Sequence, residues 1–179
     1  MRREAFRNQP ELFSELRSGS ASRISGGASV IMRKGIGSCV DVADGSNSVG
    51  VGFFASIDAH IMITDPGTRF VIQEQYSQSD GAAIGLFDSA LLTLRNKARL
   101  EIRHNYQESS GSIYIIDQGA AELSMAKGAH RTEFNIDDAT LIMENNTAMS
   151  GSAISVSGPS RVIASVTSNL LFQHNTAKN

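Results

Sequence analysis

Asp137 and Asp138 form the one adjacent acidic pair in the sequence. Paired carboxylates suit glycoside hydrolysis, which needs an acid and a base facing one bond, or a calcium site built from several acids. The acids that could join such a site, Asp41, Asp44, Asp58 and Asp65, follow no calcium-loop spacing. Asp137-Asp138 is therefore read as the end of a loop in solvent. Cys39 lies in the alternating run Cys39-Val40-Asp41-Val42. With no base placed beside it, it reads as a small apolar core residue rather than a nucleophile. A single cysteine also excludes an internal disulfide framework and a cysteine-rich zinc site. The histidines are His60, His104, His130 and His174, and they read as exposed corner residues rather than metal ligands. Arg95, Lys97, Arg99 and Arg103, followed by His104, make the one basic stretch. It could meet acidic or sulfated glycans. The plainer reading is the charged outer face of a strand, where charge discourages edge pairing. Gly26-Gly27 and Gly50-Val51-Gly52 lack phosphate-loop spacing and read as turns. No residue is assigned to catalysis, to a metal or to a cofactor.

The elements that position these residues are bounded by composition. A chain of 179 residues is one domain by default and buries about 70% of its unfolded surface. Hydrophobic residues are 41% and charged residues 19%, so the signature of disorder is absent. A net charge of −2 argues against a general nucleic-acid binder. Aromatics at 6%, with no Trp, weaken stacking on sugars or single-stranded bases. No apolar run of about 18 residues offers a transmembrane helix. Met1-Arg2-Arg3 is not followed by the apolar core of a secretion signal. Gly, Ser and Asn make up 50 of the residues, which favours many turns over a helical bundle. A short helix is predicted near the start. Pro10 suits its first position, Glu11 and Arg17 suit its dipole, and Gly19 suits its stop. Leu12, Phe13 and Leu16 would share its apolar face. It is read as a lid over one end of the main body, with a partner-binding helix as the alternative.

Four segments align without gaps: Phe70 to Gln75, Leu100 to Asn105, Leu141 to Asn146, and Leu170 to Asn175. Each reads apolar, x, apolar, x, x, amide, and the amides are 30, 41 and 29 residues apart. The long interval carries about 11 extra residues between Gln118 and Phe134. A second alternating segment follows: Ile84 to Leu86, Ile113 to Ile115, and Ile154 to Val156. A third follows as Leu92 to Leu94 and Val162 to Val166, with Ala121 to Met125 the candidate in the long unit. Three short alternating strands per unit of about 30 residues, in fixed order, predict a solenoid. The expected form is a right-handed parallel β-helix of about five coils, with strands of successive coils about 4.8 Å apart. Leu100, Ile102, Ile113 and Ile115 would point inward, and Arg99, Glu101 and Arg103 would face water. Gln75, Asn105, Asn146 and Asn175 would stack as a ladder of corner amides. Asn suits such a corner because it tolerates positive φ and bonds to nearby backbone.

These residues resemble the repeats of the polymorphic outer-membrane proteins, autotransporter adhesins whose passengers repeat Phe-x-x-Asn and Gly-Gly-Ala-Ile-like motifs. Phe172-Gln173-His174-Asn175 matches the first, and Asn146 to Ile154 resembles the joined form with Ser152 in place of the second Gly. Ser110-Gly111-Ser112-Ile113 and Gly81-Ala82-Ala83-Ile84 are looser copies. Ile72, Ile102 and Met143 depart from the family's Phe, and Gln75 departs from its Asn. The likeness covers 70–179 well and 26–69 weakly. It implies a parallel β-helix and a non-catalytic adhesion or interaction module outside the cell, meeting protein or glycan at a cell surface. The alternative is a pectin-lyase-like, polysaccharide-degrading enzyme. A polygalacturonase-like pattern, however, would also need Gly-His-Gly and Arg-Ile-Lys, which the sequence lacks. The expected organisation is a capping helix and linker over 1–24 and a β-helix over 25–179. Its C-terminal rung would be open, as in a fragment of a longer repeat protein, and able to associate end to end.

Overall fold

The computed structural model describes residues 22–25, 29–33, 36–43, 53–56, 59–77, 83–109, 111–116 and 131–178. The expected capping helix over residues 10–19 lies outside the described residues, as do Asp44, Asp58, His130 and the candidate strand Ala121 to Met125. Among the described residues the fold is all-β, with eighteen strands and no helix.

The chain visits three sheets in rotation. The first holds β1 (Ser22–Ser25), β4 (Phe53–Ser56), β7 (Ile84–Phe87), β11 (Ile113–Ile116) and β15 (Ile154–Ser157), stacked in that order. The second holds β2 (Ser29–Arg33), β5 (His60–Thr64), β8 (Leu91–Arg95), β12 (Glu133–Asp137) and β16 (Arg161–Ala164), again in order. The third begins with β3 (Ile36–Ala43) against β6 (Arg69–Ser77). Beyond β6 each visit to this sheet is split in two. β9 (Arg99–Arg103), β13 (Thr140–Glu144) and β17 (Asn169–Gln173) continue the first half of β6. The two-residue strands β10 (Tyr106–Gln107), β14 (Thr147–Ala148) and β18 (Thr176–Ala177) continue its second half. Neighbouring strands in all three sheets pair in parallel. Parallel neighbours need a crossover, and here the other two sheets supply it. This is the arrangement a β-solenoid requires.

Alternation explains which side chains the coils enclose. Ala55, Leu86 and Ile115 stand in register on the first sheet and are fully buried. Ile61, Leu92 and Phe134 do the same on the second, and Phe70, Leu100 and Leu141 on the third. Each of these columns is aliphatic with one aromatic at most, so rungs of similar width can stack in register. Buried alanines occupy corners: Ala59, Ala90, Ala98 and Ala139. Their carbonyls accept the N–H groups of Leu91, Glu133, Thr140 and Asn169 in the next rung, which satisfies backbone where the strands break.

Three expectations are corrected. The place beside β8 in the second sheet is taken by Glu133–Asp137, not by Ala121 to Met125. Glu133–Asp137 was not recognised as a strand from the sequence; its register with Leu91 to Arg95 assigns it this place. The strand expected to reach Val166 ends at Ala164, and Val166 sits fully exposed in a turn. Glu101 alternates outward on β9 yet does not face water, for reasons given by its neighbours.

Candidate functional site

The outer surface of the third sheet centres on Glu101. Register places Val71 on one side of it and Ile142 on the other. Three guanidiniums close over its carboxylate, which is 0% exposed. Arg69, one rung earlier, grips it with two hydrogen bonds, Nε to Oε1 at 2.6 Å and Nη2 to Oε2 at 2.8 Å. Arg99 Nε donates to Oε1 at 2.5 Å, and Arg103 Nη2 lies 2.9 Å from Oε2. The three arginines remain part-exposed. Burial pushes the Glu101 carboxyl up, but hydrogen bonds from Arg69 and Arg99 and the charge of Arg103 outweigh it and hold the group below the ordinary glutamate value. The same hydrogen bond raises Arg69. The cluster ties three otherwise flexible side chains to one carboxylate and leaves two net positive charges.

Arg95 and Lys97 extend this cluster around the corner from the second sheet. Arg95 ends β8, and Lys97 occupies the turn with φ 62°. Both are exposed and form no ion pair among the described residues. Arg95, Lys97, Arg99 and Arg103 thus lie along one coil, joined by Arg69 from the coil before. The following coil carries Glu133, Asp137, Asp138 and Glu144. Asp137 stands in register with Arg95, and Glu144 with Arg103, whose Nε is 3.7 Å from Glu144 Oε2. A basic band one coil wide therefore borders an acidic one about 4.8 Å away.

Asp137 ends β12 exposed and Asp138 turns the corner with φ 46°, its N–H donating to Ser165 Oγ at 3.1 Å. Both therefore belong to a strand end and its corner rather than to the end of a free loop. Asp65 is held by Arg33 at 2.9 Å. Among the described residues no three His, Cys, Asp or Glu side chains gather where a metal could bind, and no helix is long and apolar enough to cross a membrane. His60 bonds to Thr93 Oγ1 at 2.9 Å, and burial together with the charge of Arg95 lowers its pKa. His104 and His174 are exposed on corners two strands apart. Cys39 stands in register with Ile72.

The amides form a continuous ladder. Asn105 Oδ1 accepts from the Gln75 N–H at 3.0 Å; Asn146 Oδ1 accepts from the Asn105 N–H at 3.2 Å and its Nδ2 at 2.9 Å. Asn175 Oδ1 accepts from the Asn146 N–H at 3.1 Å and its Nδ2 at 2.8 Å. Each asparagine also returns a bond to the previous rung, from Nδ2 to the carbonyls of Ile72, Ile102 and Met143. Gln75 instead donates Nε2 to the Gln73 carbonyl. One expectation fails here. Positive φ belongs to the residue before each amide, at Glu74, His104, Asn145 and His174, all between 52° and 58°. The left-handed residue turns the chain so that the amide next to it points inward.

The sequence marked Arg95, Lys97, Arg99 and Arg103 but missed Arg69, Glu101 and the way they join. The signal was present as Arg at the head of two aligned segments, Arg69-Phe70 and Arg99-Leu100. Comparison of the chain with protein-family models, with curated proteins and with solved structures finds no match. The likeness to polymorphic outer-membrane proteins therefore rests on the motif residues alone.

Proposed function

We propose that this chain is a non-catalytic interaction module, a right-handed parallel β-helix of about five coils that displays its outer faces to a protein or glycan at a cell surface. The observation that carries the reading is the arginine array locked on Glu101. A carboxylate buried under three guanidiniums holds them rigid before any ligand arrives, which lowers the ordering cost of binding. The contact set is Arg95, Lys97, Arg99 and Arg103, with Arg69 added by the geometry. Guanidiniums in fixed planes match carboxylate and sulfate groups. The acidic coil beside the band restricts the shape of an anionic partner. It suits a single acidic glycan chain lying along the coil and repels one crossing several coils. The motif resemblance supports display outside the cell.

Retention on immobilised sulfated glycan, compared with a neutral glycan surface, tests the proposal. The chain should be retained on the sulfated surface and released by about 0.5 M salt, as charge contacts demand. Arg95→Ala with Lys97→Ala should weaken retention about tenfold, since neither side chain holds the fold together. Equal behaviour on both surfaces would overturn the glycan contact.

A further inference from the structure

The three guanidiniums around Glu101 are not equivalent. Arg69 and Arg99 stand in register on neighbouring strands, and each donates Nε to the same carboxylate oxygen, Oε1. Parallel neighbours lie about 4.8 Å apart. The two side chains are 43% and 44% exposed. Arg69 gives Nε and Nη2 to Glu101, and Arg99 gives Nε alone. Arg69 Nη1 and both Nη groups of Arg99 therefore meet no acceptor among the described residues. Arg103 is only 28% exposed and lies between two carboxylates. Its Nη2 is 2.9 Å from Glu101 Oε2, and its Nε is buried without a hydrogen bond, 3.7 Å from Glu144 Oε2. Gln173 Nε2 holds Glu144 through Oε1 at 2.6 Å. Thr140 follows Arg99 in the same outward column and is half-buried.

We infer that Arg69 and Arg99 together form an anchoring subsite for one sulfate ester of the glycan, and that Glu144, acting through Arg103, sets its preference for a singly charged ester. The inference deepens the reading of the basic band as a glycan contact and rests on it. Shape selects the ester. A sulfate ester has three terminal oxygens in a tetrahedral arrangement. It can meet both guanidinium edges at once and leave an oxygen for the Thr140 hydroxyl. A carboxylate has two oxygens in one plane, which a single guanidinium saturates. Charge then selects among tetrahedral esters. Three arginines set against Glu101 and Glu144 leave one positive charge, which a sulfate ester balances. A phosphate ester carries nearly two negative charges at pH 7 and would leave one unbalanced beside Glu144. Glu101 already orders both anchors, so little side-chain freedom is lost on binding.

The test uses three probes: a methyl glucoside bearing a sulfate ester, a phosphate ester or a carboxylate at the same carbon. Each is titrated at pH 7 into the nitrogen-15-labelled full chain, and the dissociation constant is read from backbone amide shifts around Arg69 and Arg99. The sulfate ester should bind about fivefold more tightly than either of the others. Arg99→Lys keeps the charge but loses the planar fork, and should weaken the sulfate ester about tenfold. Glu144→Gln should bring the phosphate ester level with the sulfate ester, a change that a merely structural role for Glu144 would not produce. Equal affinity of the parent chain for all three probes would overturn the inference. So would full affinity in Arg99→Lys, or an undiminished preference for sulfate in Glu144→Gln. Retention on the sulfated glycan surface with no probe bound at about 50 mM would overturn the subsite and leave the glycan reading standing. Selective probe binding without that retention would support the subsite and remove the longer glycan contact alone.

Discussion

Glu101 is an acid that the fold cannot release cheaply. Removing one partner of a buried charge pair costs about 3–5 kcal/mol; with the three guanidiniums part-exposed, about 2 kcal/mol is expected for Glu101→Gln. Urea unfolding at pH 7 checks this. The pH dependence has a definite sign. Because the folded carboxyl is held below the ordinary value of 4.5, its contribution is full above that value and is lost as pH falls through the lowered folded value. His60, also lowered, favours the neutral form in the fold, so its share of stability declines as pH falls below 6.5. The acid limb of stability should therefore be shallower in Glu101→Gln than in the parent below pH 4.5, and unchanged between pH 5 and 7. The ladder gives a second comparison at this scale. Asn105→Leu strands the Gln75 N–H, the Ile72 carbonyl and Asn146 in the interior, for about 3 kcal/mol, whereas Asn175→Leu at the open edge should cost about 1. The four amides were legible because each ends an aligned segment. The burial of Glu101 was not. Alternation puts it outward, and only the register of Arg69 with Arg99 brings the covering guanidinium from 32 residues away.

Corners carry the conformational demands of the elements. Gly111 precedes β11 with φ 61°, and a Cβ there would lie 2.6 Å from the Ile113 carbonyl oxygen and 2.8 Å from Ser155 Cβ. Gly67 has φ 84° in the turn between β5 and β6, with nothing within 4 Å of an added Cβ. Gly111→Ala combines backbone strain with a backbone clash and should cost about 3 kcal/mol, while Gly67→Ala carries strain alone at about 1. Thermal unfolding of the two variants separates the contributions. The strands themselves were largely readable, since period-two alternation marks β6 to β9, β11, β13 and β15. Where alternation failed, the cause was a missing pairing partner in the reading. Val162 to Val166 alternates well, but backbone pairing stops at Ala164. The corner dihedral was misplaced by one residue because sequence shows which residue tolerates positive φ, not which one the turn selects.

The whole molecule is a stack in which each rung is buried by the rungs on either side. Such a protein is stabilised chiefly through nearest neighbours, so the cost of a core truncation should depend on its place along the axis. Leu100 and Leu170 occupy the same inward column two rungs apart. Leu100→Ala should cost about 3–4 kcal/mol, near other buried leucines, and Leu170→Ala about 1, because its site is already half open to water. Coil-by-coil rotation among three sheets was legible from the 30-residue period, because one supersecondary unit repeats and each unit must bury its face on the next. The basic stretch was legible too, but the acidic band beside it was not, since Glu133, Asp137, Asp138 and Glu144 are spread over two strands and the corner between them and meet Arg95 and Arg103 only when neighbouring coils are laid side by side. The basic band carries the proposed function, and one titration addresses it most directly. Nitrogen-15-labelled chain is titrated with a sulfated hexasaccharide while the arginine side-chain and backbone amide resonances are followed. Saturable shifts confined to Arg69, Arg95, Lys97, Arg99 and Arg103 are predicted. Shifts centred on Arg131, Arg161 or Lys178, or none at all, would contradict the account.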